Sequence, residues 1–554
     1  MSGGQVKIMG KVRRGHHLVP VLGIAVGWIG INLLWWSWNT APPAWDQTDY
    51  LLASLGFLDA FRDGGLPELL RTVLRSTSGF GRPPLLSLLP LPLYGLVGTG
   101  PKAAHLALLV FIPLMVFALY EMGRRLGGER AGLAACLVAA TMPHLSGLSR
   151  QFFVEFPLAA VVTGTVYLLL RLLEEERVWL YVGLAASVAV GMMLKVTYIL
   201  FVGPAWLIVA LGSLRRGRVQ GFLGLATAAT VGLALASLWY LPNWHHVFWD
   251  IRESGYGIEA APYEYGGQGL LLWRLVYGGL SVYYTAILVL LALRRRRSLA
   301  SLWREESRDG VLLLISWVAV PLLIFLSAVG RDPRYLLPSI PATALGLGLL
   351  FEASREGGRL RLAPFAYPLV AMVLISFVPL SAFPASQRGS AARLYQLMGS
   401  SFQNPPLERG DWKTDTIVEL IWGMERKGPH PVQTTVLANH PKFHVNLFNY
   451  AARLQGKPIV FAVCEDTTKP FSVEECLQRV VLGAEFLLDK TGLRKVAGPD
   501  RYSTLFDGWI ATRCLPFQLV PVDLSLPDGS SVRLLQKDPD LQLGPSPCLG
   551  PDTP

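Results

Sequence analysis

The sequence predicts an all-α polytopic membrane domain of about eleven transmembrane helices, with membrane-surface helices in its first outer loop, followed by an extracytoplasmic α/β domain. Three observations support this fold class. The 554 residues are 52% hydrophobic and 16% charged, with a mean hydropathy of +0.40, which is too apolar for a soluble protein of this size. Short clusters of Lys and Arg recur between apolar runs. Residues from about 384 onward are polar and contain no run long enough to span a membrane.

The net charge of +11 could indicate a nucleic-acid partner. Its distribution excludes that class, because the basic residues fall in the loops between apolar runs, as expected for cytoplasmic loops of a membrane protein. We therefore expect membrane lipids, and no nucleic acid, around residues 1–383, and we divide the chain into a transmembrane domain (1–383) and an extracytoplasmic domain (384–554).

The first span runs from Leu18 to about Trp36 and follows a basic N-terminus. No small-residue cleavage site follows it, so we interpret it as an uncleaved anchor. The basic flank places the N-terminus in the cytoplasm and Asp46 outside.

Ten further spans alternate in direction. They are Ala103–Tyr120, Ala131–Leu148, Val154–Leu173, Val178–Leu194, Tyr198–Leu214, Gly221–Leu241, Leu271–Leu293, Gly310–Val329, Tyr335–Phe351 and Leu362–Phe383. Each inferred cytoplasmic loop carries Lys or Arg. The segment Pro83–Val97 is short and contains Pro90 and Pro92, so we expect a membrane-surface helix or a re-entrant piece. Counting it as a span would place the later basic loops outside.

The C-terminal residues alternate short β-like runs with helical ones, which is typical of a small α/β domain. The β-like runs are Thr434–Ala438, Pro458–Val463, Glu485–Leu488, Phe517–Val522 and Val532–Gln536, and the helical runs are Thr414–Arg426, Phe443–Leu454 and Val473–Val481.

Within the membrane domain, a loop rich in aromatic residues is expected over Pro242–Leu270.

Four of the five cysteines lie in this domain, and Cys136 lies in a span. One or two disulfides are plausible in an oxidising compartment. Three pairings are open, of which we favour Cys464–Cys476 with Cys514–Cys548; free buried thiols are the alternative.

Two carboxylates three residues apart, Asp46 and Asp49, follow the first span. One interpretation is that one of them caps the helix that follows. The other is chemistry on a lipid-borne substrate, because acids at the boundary of lipid and water can face such a substrate.

Ionisable residues at the outer ends of the spans favour the second interpretation. Besides Asp46 and Asp49 they are Arg82, His144, Arg150, Glu155, Lys195, His245, His246, Arg252, Arg331, Asp332 and Arg334. Charged groups at membrane depth are costly and tend to face a cavity or a partner. A lone Lys at a span end is more often a snorkelling anchor, but several cations and acids on one face suggest an anion pocket with a carboxylate base.

A phosphate is the natural anion beside a lipid, and Arg82, Lys195 and Arg334 could hold it. Asp46 could then take a proton from an attacking hydroxyl. The sequence contains no phosphate-binding glycine loop and no dinucleotide fingerprint in this setting, so we expect an activated lipid as donor.

Several short motifs occur in a fixed order: Asp46-x-x-x-Tyr50, Arg82-Pro83-Pro84, Glu155-Phe-Pro157, Leu194-Lys195 and Arg334–Pro338. In this order, over residues 18–350, the chain resembles the C-type glycosyltransferases that use polyprenyl-phosphate sugars. It is most similar to the bacterial branch of aminoarabinose lipid A transferases and protein O-mannosyltransferases. The resemblance implies a multi-pass enzyme of the bacterial cytoplasmic (inner) membrane.

The resemblance also implies roles for individual residues. Asp46 corresponds to the acid that acts as base or orients the acceptor, and Glu155 to a second acid, where Asp is more usual. Arg82 stands where the aminoarabinose branch has a Lys that contacts the lipid phosphate. Lys195 matches a Lys near the sugar phosphate, and Arg334 with Tyr335 matches a late basic–aromatic pair.

Two departures from the family pattern matter. Gln47 stands where the branch commonly has Glu, which makes a paired-carboxylate metal site less favoured. Arg82 keeps the charge of the usual Lys but changes its geometry.

We therefore predict an inverting transfer of a sugar from a polyprenyl phosphate to a hydroxyl of a lipid, protein or glycan acceptor. No obligatory metal is expected, although Asp49 could join Asp46 in binding a divalent cation. Other hypotheses are a lipid or glycan transporter or flippase, which would predict internal repeats that the sequence lacks, a non-catalytic envelope scaffold, and a ligase for whole lipid-linked glycans.

Overall fold

The structure, a computed structural model, describes residues 18–75, 82–256, 267–294, 308–328, 332–353, 363–424, 430–463, 476–492 and 515–538. In the membrane part the helices are α1 Leu18–Trp38, α2 Asp46–Arg75, α3 Leu85–Leu88, α4 Leu91–Val97, α5 Pro101–Leu108, α6 Phe111–Gly127, α7 Glu129–Thr141, α8 Pro143–Leu148, α9 Glu155–Glu174, α10 Val178–Leu194, α11 Tyr198–Arg215, α12 Val219–Tyr256, α13 Gly267–Arg274, α14 Val282–Arg294, α15 Arg308–Ser327, α16 Ile340–Ala353 and α17 Ala363–Phe377. A π-helical turn covers Leu275–Leu280, and a 3₁₀ segment covers Pro333–Ser339.

Seven helices in the described ranges are long and apolar enough to cross a membrane, or eight if the bent pair Leu271–Leu280 and Val282–Arg294 forms one span. Three shorter apolar helices accompany them, Leu85–Val97, Val178–Leu194 and Pro364–Phe377. The protein is therefore a multi-pass membrane protein with the predicted mostly helical architecture. The count of about eleven spans stays a prediction.

Helix α9 lies at the centre of this helical assembly. Its apolar window is 83% buried inside the protein, whereas that of the first helix is only 28% buried. A helix that is apolar on all sides and enclosed by other helices is fixed by packing on every face. Its first residue, Glu155, is thereby held in a defined position.

Three predicted elements differ from the structure. The predicted span Ala131–Leu148 is divided into α7 and α8, because Met142 is extended (φ −70°, ψ 128°) before Pro143, and proline disfavours a helical conformation in the residue that precedes it. The predicted span Leu271–Leu293 bends by 97° near Ser281. The predicted loop after Leu241 is helical as far as Tyr256, because α12 continues through Pro242.

The segment predicted as the first outer loop is helical, as expected. Helix α2 has a kink at Gly65, where φ is +65°, so its two parts point in different directions. Such a left-handed conformation is accessible to glycine at little cost. The segment predicted as a single membrane-surface or re-entrant element contains two short helices, α3 and α4.

The C-terminal region forms a five-stranded mixed sheet. Its strands are β1 Val432–Val436, β2 Ile459–Ala462, β3 Phe486–Lys490, β4 Phe517–Val520 and β5 Val532–Lys537, in the order β2-β1-β3-β5-β4. Strand β1 is parallel to β2 and β3, whereas β5 is antiparallel to β3 and β4. Each of the five predicted β-like runs therefore overlaps a strand, although β1, β3 and β5 extend beyond the predicted bounds.

Three helices belong to the same region, α18 Arg388–Leu397, α19 Thr414–Met424 and α20 Val445–Leu454, and a π-helical turn covers Cys476–Val481. Apolar side chains of α19 and α20 pack with the strands in one core that includes Ile417, Phe443, Phe448, Phe486 and Leu534. Helix α20 also packs against α2 of the membrane part. This contact brings the sheet region to the segment that begins with Asp46.

The cysteine predictions are only partly accessible. Cys476 is disulfide-bonded, and Cys136 is a free buried thiol. Cys464, Cys514 and Cys548 lie outside the described residues, so the favoured pairing stays a prediction. Of the candidate outer charges, Arg331 also lies outside them.

Candidate active site

The site begins where α2 begins, at Asp46. Asp46 and Asp49 lie one turn apart, so both carboxylates are on one face of the helix. Gln47, between them, turns the other way and accepts a hydrogen bond at Oε1 from the Phe152 backbone N–H (3.1 Å). Gln47 therefore ties α2 to the segment before α9 and does not face the carboxylate pair.

Arg82 connects the two carboxylates. Its Nη2 lies 3.3 Å from Asp46 Oδ1 and its Nη1 lies 3.7 Å from Asp49 Oδ2. The guanidinium carbon also lies 5.4 Å from the centre of the Tyr50 ring, within the range of a cation–π contact. Arg82 comes directly before Pro83 and Pro84, which restrict the backbone at this point.

Arg334, which lies far from Asp46 in the sequence, also contacts its carboxylate. Its Nη2 lies 2.8 Å from Asp46 Oδ2. Its Nε lies 3.0 Å from Asp332 Oδ2, and its own backbone N–H donates to Asp332 Oδ1 at 2.9 Å. Asp332 thus caps the 3₁₀ segment and at the same time fixes the guanidinium of Arg334.

A second ion pair joins Glu155 and Lys195. Lys195 Nζ lies 2.9 Å from Glu155 Oε1 and 4.4 Å from the centre of the Tyr335 ring. The Tyr335 ring also lies 5.2 Å from the guanidinium carbon of Arg334. The Tyr335 ring therefore lies between the Glu155–Lys195 ion pair and the Arg334–Asp46 ion pair, and contacts the cation of each.

The chain fixes Lys195 in a tight turn between α10 and α11. Gly191 packs against the ring of Tyr198, where any Cβ would clash with the ring. The Tyr198 hydroxyl lies 2.8 Å from the Thr165 hydroxyl of α9. This packing holds the turn against the helix that carries Glu155.

The acids of α2 differ in their ionisation. Burial opposes the ionisation of Asp46, but the positive charges of Arg82 and Arg334 outweigh it and hold the pKa of Asp46 well below its ordinary value. Burial raises the pKa of Asp49 to about 7, assisted by the negative charge of Asp46 and opposed by Arg82. The pair therefore offers one fixed carboxylate and one group that titrates near neutral pH.

The structure brings the predicted residues Asp46, Asp49, Arg82, Arg334, Tyr335, Glu155 and Lys195 into one network. Other candidates lie elsewhere. His144 is buried beside Gly278 and Gly279, and the centre of the His245 ring lies 3.7 Å from that of the Trp244 ring, with the two rings tilted by 35°. Arg150 is buried and donates to Ser376 Oγ and Asn404 Oδ1, each at 2.6 Å.

Three residues of the network were not singled out from the sequence. Phe153 lies under Arg334, with its ring centre 5.1 Å from the guanidinium carbon. Asn446 donates to Asp49 Oδ1, and His444 accepts a hydrogen bond from the Trp45 backbone N–H (3.0 Å). No local pattern predicts the last two contacts, because they join residues 397 and 399 positions apart.

Within the described ranges, no group of three or more His, Cys, Asp or Glu side chains is arranged to hold a metal ion. Asp46 and Asp49 are instead bridged by Arg82. The expectation that no metal is obligatory stays a prediction.

One family model of known proteins matches part of the chain, and the matched part includes several residues of the site. The family model of dolichyl-phosphate-mannose-protein mannosyltransferases matches residues 81–240, a range that includes Arg82, Glu155 and Lys195. No curated protein sequence matches the chain.

Among solved structures, the chain is similar to ArnT from Cupriavidus metallidurans bound to undecaprenyl phosphate, with a TM-score of 0.58 and 16% identity over 95% of this chain and 99% of that one. It is also similar to the mycobacterial arabinofuranosyltransferase AftD, with a TM-score of 0.54 and 13% identity over 93% of this chain and 40% of that one. The chain is also similar to the oligosaccharyltransferase AglB from Archaeoglobus fulgidus, with a TM-score of 0.50 and 9% identity over 95% of this chain and 75% of that one.

At these identities the likeness shows the fold. The resemblance to the C-type membrane glycosyltransferases, predicted from the order of short motifs, is thereby confirmed. The match of the family model over residues 81–240 supports the expected class of enzyme, a glycosyltransferase that uses a lipid-linked sugar.

Proposed function

We propose that the protein transfers a sugar from a polyprenyl-phosphate donor to an acceptor hydroxyl at the outer face of the bacterial cytoplasmic membrane, with inversion at the anomeric carbon. One observation carries the proposal: Asp46 lies between the guanidinium groups of Arg82 and Arg334. Both guanidinium groups, which are suited to binding a phosphate, are thus in direct contact with the carboxylate that is the proposed base.

In the proposed step the acceptor oxygen attacks the anomeric carbon, and its proton passes to Asp46. The new bond from carbon to the acceptor oxygen forms as the bond from carbon to the phosphate oxygen breaks. The leaving group is a phosphate monoester, and the positive charges of Arg82, Arg334 and Lys195 stabilise the charge that develops on it. One displacement inverts the anomeric configuration.

Because Asp46 is paired with the two arginines, the basicity of its carboxylate depends on whether the donor is bound. A carboxylate held by two guanidinium groups is a weak base, because both groups favour its charged form. The donor phosphate competes for the same guanidinium groups. When it does, the pKa of Asp46 returns toward its ordinary value, and the carboxylate becomes a better proton acceptor.

Glu155 and Lys195 form the sugar side of the proposed site. Lys195 supplies a third cation for the phosphate. Glu155 Oε1 holds Lys195, and Glu155 Oε2 is buried without a hydrogen-bond partner among the described residues. A buried carboxylate oxygen of this kind can accept a hydrogen bond from a sugar hydroxyl.

The topology of the proposal follows the basic loops. The N-terminus lies in the cytoplasm, and residues 384–554 form an extracytoplasmic domain. The contact between α20 and the helix that begins at Asp46 supports this, because both must then lie on one side of the membrane. A phosphate monoester leaving group has no diphosphate for a metal to bridge, so the proposed reaction has no obligatory metal.

The first experiment compares Asp46→Asn with the wild type in purified, lipid-reconstituted protein. Release of polyprenyl phosphate is measured with a panel of labelled polyprenyl-phosphate sugars. Loss of the base and of the central partner of both arginines is expected to lower turnover by about 100-fold or more. Asp63→Asn is the matched control, because Asp63 lies exposed on the same helix.

Donor binding is measured on the same samples. If Asp46→Asn binds donor but does not turn it over, the base assignment stands. If it keeps full turnover, the assignment is wrong and Glu155 or Asp49 takes its place. A wild type that neither binds nor cleaves any donor of the panel contradicts the proposed function, and a transport assay then replaces the transferase assay.

A further inference from the structure

The loop between β1 and α20 lies against the start of α2. We name residues 439–446 the docking segment. Asn439 Oδ1 accepts a hydrogen bond from the Trp45 indole N–H (3.1 Å), and His444 Nε2 accepts one from the Trp45 backbone N–H (3.0 Å). Asn446 Nδ2 donates to Asp49 Oδ1. Three contacts therefore join this segment to the turn that presents Asp46 and Asp49.

The docking segment is itself fixed to the sheet region. Phe443 is fully buried in the core and packs edge-to-face on Phe448 of α20, with ring centres 4.9 Å apart. The backbone N–H groups of His440 and Phe443 each donate to the carbonyl of the other. The segment is thus a rigid part of the C-terminal region and not a loose loop.

The residue that the segment holds has an unusual backbone conformation. Trp45, directly before Asp46, has a φ of +31°, in the left-handed region. Non-glycine residues persist there only when their surroundings determine the conformation, and such residues often occur at functional sites. Two of the hydrogen bonds that determine it come from the docking segment.

His444 is suited to this contact because it is neutral. Its side chain is buried, and burial lowers its pKa to about 3. The groups that face it are the Pro43 backbone, Asp46 and His440. A neutral imidazole has one nitrogen lone pair, and this lone pair accepts the Trp45 N–H.

We propose that His444 and Asn446 are positioning residues of the transfer reaction, so that the C-terminal α/β region forms part of the active site and does not only cover it. The proposal deepens the proposed function and rests on it. His444 fixes the turn at Trp45 and with it the direction of Asp46. Asn446 fixes the carboxylate of Asp49 beside Arg82.

The chain offers a matched control for this role. Arg453, two turns further along α20, forms an ion pair with Asp59 of α2 at 2.5 Å. This ion pair joins the same two helices, α2 and α20. The side chains of Arg453 and Asp59 are both exposed, and they lie away from the carboxylates of Asp46 and Asp49. Arg453→Ala therefore weakens docking without touching the turn at Trp45.

The test compares His444→Ala, His444→Gln, Asn446→Ala and Arg453→Ala in full-length, lipid-reconstituted protein with a polyprenyl-phosphate sugar that the wild type cleaves. Displacing a reacting group by about 1 Å can cost about 100-fold in rate, so His444→Ala is expected to lower kcat by about 10- to 100-fold with little change in donor KM. His444→Gln is expected to recover most of the loss, since its amide oxygen can accept the Trp45 N–H. Arg453→Ala is expected to stay within about twofold, because exposed ion pairs contribute little.

Asn446→Ala has a separate signature. In the proposed reaction, turnover requires the charged form of Asp49 beside Arg82. In Asn446→Ala this form loses a donor, so the pKa of Asp49 rises and the acid limb of the pH–rate profile moves to higher pH. Arg82, Asp46 and Asn446 are the groups that face Asp49. A purely structural role of Asn446 would lower the rate equally at every pH.

Hydrogen exchange over residues 44–50 gives a readout that does not depend on activity. Faster exchange in His444→Ala, but not in Arg453→Ala, supports the proposal even if the wild type cleaves no donor, in which case only the proposed function fails. Equal effects of His444→Ala and Arg453→Ala on kcat and on exchange overturn the proposal. A pH profile that is unmoved in Asn446→Ala overturns the part that concerns Asn446.

Discussion

Arg334 and Arg150 are both buried arginines near the ends of helices in the membrane part, but their partners differ. Arg334 contacts carboxylate oxygens of Asp46 and Asp332. Arg150, which is 1% exposed, donates to the hydroxyl of Ser376 and to the amide oxygen of Asn404, and its guanidinium carbon lies 5.0 Å from the centre of the Trp35 ring. One charge is paired with charges, and the other with neutral groups.

The difference indicates two uses of the same side chain. A guanidinium that shares carboxylates can exchange one of them for the phosphate of a substrate, because the exchange keeps its charge compensated. A guanidinium held by a serine, an amide and an aromatic face connects segments that are distant in the chain. Arg150 joins the end of α8 to α17 and to Asn404, and burial lowers its pKa to about 9.

The largest expected effect separates these two arginines. Arg334→Ala removes a proposed phosphate ligand together with the partner of Asp46 and Asp332, and we expect kcat/KM to fall by about 1000-fold. Arg150→Ala leaves two buried acceptors without their donor, and we expect a loss of about 1–3 kcal/mol in the free energy of unfolding. Its turnover per folded molecule should change little.

Release of polyprenyl phosphate and thermal unfolding, measured on the same reconstituted samples, check both expectations. Arg334→Lys is the intermediate case, because it keeps the charge but cannot contact Asp46 and Asp332 with one planar group. If Arg150→Ala loses turnover as strongly as Arg334→Ala without losing stability, the distinction between a substrate-binding and a structural arginine is wrong.

A smaller effect tests whether Glu155 and Lys195 act as a pair in the same sense. Glu155→Gln and Lys195→Met each leave a partner without its counter-charge, and we expect about a 100-fold loss in kcat/KM from each change. The double variant should lose less than the product of the two single losses, because each single change already breaks the ion pair between the two side chains. Additive losses in this double-mutant cycle would show that the two side chains act independently.

The smallest expected effect concerns the ionisation of Asp49. Its pKa is raised from 3.8 to about 7 by burial, so between these values the folded protein binds a proton that the unfolded chain has lost. The free energy of unfolding should therefore decrease as the pH rises from about 4 to about 7. Asp49→Asn should remove this part of the pH dependence in thermal unfolding measured across that range, and Asp63→Asn should retain it.

Much of the fold follows from local sequence patterns. Apolar length predicted the helices of the membrane part, and alternating runs predicted all five strands of the sheet. The side chains of the central network were also named from their places at the ends of spans, because ionisable groups at such positions are rare and costly. Their partners were not, since the order of residues along the chain does not say which span ends meet.

The sequence by itself determined a helical multi-pass protein with charged residues at the ends of its spans and a C-terminal sheet, because hydrophobic length and periodicity are local properties. The tertiary structure alone decided that Arg82 and Arg334 share Asp46, and that His444 and Asn446 reach the same turn from the sheet region. It also decided the left-handed conformation of Trp45, a residue type that rarely adopts it. The contacts of His444 and Asn446 join residues 399 and 397 positions apart, and packing of the folded chain fixes them.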